Sequence, residues 1–69
     1  MKVKYLPTTL SGKIAHVEEE SSEVISIIAK IHRFGLESEH PDTKEPNRAA
    51  LRREMRDLKF AITRLEKIL

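Results

Sequence analysis

The chain has 69 residues, room for one small domain whose core, standing alone, gives only marginal stability. It has no cysteine, which excludes a disulfide framework and a thiolate zinc site as the missing staple and leaves an oxygen-ligated metal, a partner chain, or both. Charged residues make up 35% of it and aromatics 4%, a balance that suits a soluble helical protein. No apolar run reaches the ~18 residues a membrane span requires, and the N-terminus lacks a signal-peptide core, so no membrane partner and a cytosolic location are expected.

Residues 1–6 alternate polar and apolar, with Val3 and Tyr5 on one side, and residues 1–9 are expected to form a short extended N-terminal arm. Pro7 and the Thr8-Thr9 pair close it, and Thr8, Thr9 or Ser11 is placed to cap the first helix. That helix is expected over 10–35, ending at Gly35. Its apolar residues cover more than one side, because Ile14, Ile25 and Ala29 sit well round from Val24, Ile27 and Ile31. Such a helix needs two neighbours. Residues 36–46 are a polar connection with two of the three prolines, where His40 and Asp42 read as turn residues rather than metal ligands. His32 reads as structural. A second helix is expected over 47–69, with Asn47 as N-cap and Leu51, Met55, Leu58, Ile62, Leu65 and Leu69 as its packing seam. The fold class is therefore all-α: a two-helix hairpin with a short arm, completing a four-helix bundle by homo-oligomerisation as a dimer or tetramer.

The residue that breaks this pattern is Glu20. At 100° per residue, Val24, Ile27, Ile31 and Phe34 all fall within about 40° of it, so it points along the middle of the apolar stripe. A buried carboxylate without a counter-charge costs several kcal/mol or shifts its pKa until it is neutral. Glu23 lies one turn on from Glu20, and the second helix carries a matching pair, Glu54 and Asp57, beside its apolar stripe. Antiparallel packing would bring the four carboxylates to one level. An all-oxygen, thiolate-free cluster of that kind suits a hard cation such as Mg²⁺ or Mn²⁺, which in turn grips a phosphate chain.

The order Glu19-Glu20-Ser21-Ser22-Glu23, then Glu54-Met55-Arg56-Asp57, with Arg33-Phe34-Gly35 between, resembles the MazG-like all-α nucleoside triphosphate pyrophosphohydrolases of phages and bacteria. The resemblance covers roughly 17–65. It implies hydrolysis of (d)NTP to (d)NMP and pyrophosphate with Mg²⁺ held by Glu20, Glu23, Glu54 and Asp57. It implies that Glu19 is a ligand through water or orients the attacking water. Lys30, Arg33 and Lys59 are candidate phosphate contacts, and His16, four residues before Glu20, is placed to touch the ligand or its base. Two alternatives compete with the enzyme. One is a non-catalytic nucleotide binder on the same scaffold. The other is an interaction or DNA-binding protein using Arg48, Arg52, Arg53 and Arg56, although the low net charge of +2 makes nucleic acid the less favoured partner.

Overall fold

The computed structural model describes residues 6–69 and contains two packed helices, α1 (Leu10–Phe34) and α2 (Asn47–Glu66), joined as a hairpin. Most of the arm expected over 1–9 lies outside the described residues. Thr9 caps α1, its Oγ1 accepting from the Gly12 N–H at 3.0 Å. Gly12 also makes room for the approach to the helix, since a Cβ there would come within 2.8 Å of the Pro7 Cβ. Gly35 closes α1 at φ 97°, a conformation that favours glycine, and its N–H returns to the Ile31 carbonyl.

The connection is pinned by its own hydrogen bonds rather than left as a loose span. His40 N–H donates to the Glu45 carbonyl and Lys44 N–H to the His40 carbonyl, both at 2.9 Å. The His40 Nδ1 accepts from the N–H groups of Asp42 and Thr43, so His40 and Asp42 do form a turn.

Two boundaries differ from the sequence expectation. Pro46, not Asn47, is the N-cap of α2, and Asn47 is its first helical residue. The carbonyls of Ser38 and Leu36 accept from the N–H groups of Asn47 and Arg48, doing the work expected of a capping side chain. The buried Asn47 amide is freed to donate to the Gly35 carbonyl at 3.0 Å, tying the end of one helix to the start of the next. At the other end α2 gives way to a turn after Glu66, with Leu69 largely exposed.

The seam also lies elsewhere. The buried positions of α2 are Asn47, Ala50, Glu54 and Ala61, whereas Met55 and Ile62 stay exposed and Leu51, Leu58 and Leu65 are half-buried. Closest approach between two helices goes to small side chains, and Ala50 and Ala61 supply them on either side of Glu54. The Leu/Met stripe is rotated off the line of contact. On α1 the buried residues are His16 and Glu20, with Val17, Val24, Ile27 and Ile31 half-buried around them.

Because Asn47 is the only side chain among the described residues that reaches the Gly35 carbonyl, Asn47→Ala should destabilise the protein by about 1–2 kcal/mol. Urea unfolding of the two proteins at equal concentration measures it.

Candidate metal centre

Glu20 and Glu54 come from different helices and meet in the seam. They are 3% and 7% exposed. Each has one oxygen anchored and one without a hydrogen-bond partner among the described residues. The Oε1 of Glu20 lies 3.5 Å from Nε2 of the equally buried His16, one turn before it, while its Oε2 has no such partner. The Oε1 of Glu54 accepts from Arg53 at 2.6 Å, and its Oε2 is the orphan. Glu23, more open to solvent, completes a set in which one oxygen from each of the three acids lies within 4.8 Å of the others.

Three carboxylates so close oppose one another's ionisation. The Glu23 carboxyl is held above its ordinary 4.5 chiefly by its hydrogen-bond contact with Glu20, with burial and the charges of Glu20 and Glu19 adding and Glu54 opposing. Glu54 is raised chiefly by burial, then by Glu23, with the charge of Asp57 adding and Arg53 opposing. Asp57 thus acts on the cluster electrostatically, one turn along α2, but it is not among the three acids that converge.

The set fits a hard divalent ion. Oxygens around an octahedral ion sit roughly 3–4 Å apart, so small rotamer adjustments from 4.8 Å would close the shell. All three donors are carboxylates, and the anchored oxygens have the outer-shell support that metal ligands require.

The other candidates occupy different places. Glu19 is exposed beside Glu23, and its carbonyl accepts from the Ser22 hydroxyl at 2.6 Å. Lys30 is exposed about 10 Å further along α1 than Glu23. Arg33, one turn beyond it, stands 5.2 Å from the Phe34 ring centroid. Lys59 is away from the acids, on the rim of an open groove of about 420 Å³ with Leu36, Leu51 and Met55 as its apolar lining and Arg48, Arg52 and Arg56 beside it.

The sequence offers Arg53, Arg56 and Lys30 alike as ion-pair partners for these acids, and the structure pairs Arg53 with Glu54. Neighbouring positions on a helix do not face each other, so Arg53 offers no periodic signal of contact with Glu54. The contact exists because the same guanidinium donates to Glu45 at 3.0 and 3.3 Å, which draws it along the loop and across its neighbour. Arg48 is likewise taken up by Glu37 at 2.6 and 2.9 Å.

Compared with protein families, curated proteins and solved structures, the chain matches none.

Two outcomes are expected. Glu23 and Glu54 have raised pKa values in the fold, so the stability they contribute is full below about 4.5 and is lost as pH rises through their folded values. The lowered Glu37 and Glu45 act in the opposite window, below 4.5. Metal-free protein should therefore lose melting temperature as pH rises above about 4.5, and Glu54→Gln should flatten that decline when both are followed by circular dichroism. Arg53→Ala should weaken Mn²⁺ binding by about 10–100-fold in calorimetry, by releasing the anchored oxygen of Glu54.

Proposed function

We propose that this protein is a metal-dependent nucleotide pyrophosphohydrolase that converts (d)NTP to (d)NMP and pyrophosphate, working as a homo-oligomer on the cytosolic nucleotide pool. The observation that carries the reading is the pair of buried glutamates, from opposite helices, that each keep one oxygen without a partner among the described residues, within a three-carboxylate cluster. A purely structural core has no use for two such groups, whereas a bound cation satisfies both at once. The spacing of Glu20, Glu23, Glu54 and Asp57, similar to that of the MazG-like enzymes, supports a phosphate-chain substrate.

In this reading Glu20, Glu23 and Glu54 would hold Mg²⁺ or Mn²⁺, with Asp57 one turn along α2 as a further acid for the same ion. Such an ion would supply charge neutralisation at the phosphoryl oxygens and a lowered pKa for a water. His16 and Arg53 hold Glu20 and Glu54 in orientation. Glu19, exposed beside Glu23, orients the attacking water, and Lys30 on the same side of α1 meets the far end of the phosphate chain. The DNA-binding alternative loses two of its four arginines, because Arg48 and Arg53 are paired with Glu37, Glu45 and Glu54.

The test is incubation with Mg²⁺ and each (d)NTP in turn, followed by assay of monophosphate and pyrophosphate. Glu20→Gln and Asp57→Asn should each lower kcat/KM at least ~100-fold with helix content intact. Nucleotide binding in calorimetry with no pyrophosphate released would establish the non-catalytic binder instead. Turnover that survives both substitutions would overturn the site.

A further inference from the structure

Helical arithmetic sorts six of the exposed apolar side chains onto one side of the hairpin, while Phe34 and Phe60 fall about 40° and 120° round in the opposite sense. Counted at 100° per residue from Glu20, Leu10, Ile14, Ile25 and Ile28 fall about 80–140° round α1 in one sense. Counted from Glu54, Met55 and Ile62 fall about 80–100° round α2 in the same sense. The helices of a hairpin run antiparallel, so equal senses of rotation from the two seam lines lead to the same face. Glu23 and Asp57 lie about 60° in the opposite sense and share the other face. Glu23 and Asp57 open on one side of the molecule, beside Phe60, and the exposed isoleucines of the two helices, with Leu10 and Met55, lie on the other.

We propose that a second copy of this chain seats on that apolar face, layer against layer. This deepens the self-association already proposed by naming the surface, and it makes the metal centre wholly a property of each protomer. Three observations support it. The described chain is a slab of 38 × 22 × 13 Å, one helical layer thick, whereas stable domains pack at least two layers. Among the described residues its buried apolar side chains are two alanines, Ala50 and Ala61, while Ile14 is 50% and Ile25 66% exposed. A face of 38 by 22 Å offers roughly 800 Å² per partner, the standard size of a specific interface. The same chain is the partner present wherever the fold forms, and it brings an identical apolar face of matching dimensions.

Charge selects the pairing within the dimer. Arg52, Arg56 and Lys59 line the outer edge of α2 with no acidic partner among the described residues, so stacking α2 on its copy would set like charges side by side. Laying α1 of one copy over α2 of the other avoids this, with the two-fold axis parallel to the helices. Glu54 meets Glu20 and Glu23, so five residues further along α2 Lys59 is roughly level with Glu18, the acid on the outer edge of α1. The groove lined by Leu36, Leu51 and Met55 then receives the partner's α1 edge.

Sedimentation equilibrium of the full chain at micromolar concentration should give twice the 8.0 kDa protomer mass. The melting temperature should rise with protein concentration. Ile14→Glu and Ile25→Glu should each raise the dissociation constant about 100-fold, or abolish helix content where the protomer does not stand alone, while Ser26→Glu on the acid-bearing face should change neither reading. Glu18→Lys should weaken the dimer and Glu18→Lys with Lys59→Glu should restore it; failure to restore would overturn the crossed pairing. A helical monomer at 100 µM wild-type chain, a melting temperature independent of concentration, or a dimer indifferent to both isoleucine substitutions would overturn the proposal. Mn²⁺ binding is measured separately: its loss with the dimer intact refutes the metal centre alone, and a monomer that still binds Mn²⁺ refutes the interface alone.

Discussion

Two carboxylates facing each other across a helix seam are the constraint around which this protein is built. With oxygens within 4.8 Å, each ionised pair repels by on the order of 3 kcal/mol at an effective dielectric near 20, comparable to much of a small domain's net stability. Glu23 is shifted upward chiefly by its hydrogen-bond contact with Glu20 and Glu54 chiefly by burial, with the neighbouring carboxylate charges adding to both. A proton relieves one pair; a divalent cation relieves all of them. The cluster leaves one oxygen of Glu20 and one of Glu54 without a partner among the described residues, which a proton or a cation would supply.

The rest of the chain holds that interaction in place. Ala50 and Ala61 bring the helix axes close enough for side chains from both to meet, and a larger residue at either position would hold the acids apart. The connection reinforces them from one end. Asn47 binds the last carbonyl region of α1, and Glu45 holds Arg53, which in turn holds Glu54. A chain of polar contacts thus runs from the loop to the centre of the seam. His16 provides the equivalent hold on Glu20 from the other helix. An exposed pair such as Arg53 with Glu45 adds little stability by itself. Its value is geometric, because it fixes which oxygen of Glu54 is engaged.

Much of this was legible in the residues. A glutamate phased onto an apolar stripe has few physical explanations, and burial of Glu20 follows directly from its position among Val24, Ile27 and Ile31. Gly35 as helix terminator and Thr9 as cap were readable from local chemistry. The seam of α2 was not, because hydrophobic periodicity records which residues avoid water in the finished assembly, not which line touches the nearest helix. Met55 and Ile62 carry the strong signal, and Ala50 and Ala61, with little apolar area, carry the contact. The role of Asn47 was hidden for a related reason. Sequence shows that a side chain is able to cap a helix, but not that loop carbonyls have already taken the amides it would serve.

The same mismatch explains why a chain with so small an apolar interior has so many large apolar residues. In a hairpin the apolar stripe and the contact line are normally one. Here the half-buried residues keep to the contact line, and a second set (Leu10, Ile14, Ile25 and Ile28 on α1, Met55 and Ile62 on α2) lies about 80–140° round from the acids in the sense that puts both helices' members on one face. Displacement on one helix alone would scatter the exposed residues around the molecule, where no single neighbour covers them. Coherent placement gathers the exposed set on the flat side, while the seam is shared by charged, small and half-buried apolar residues. On the proposed reading a cation at the acids and a second copy on the flat side would act on separate surfaces of the protomer, so that either could be altered without disturbing the other.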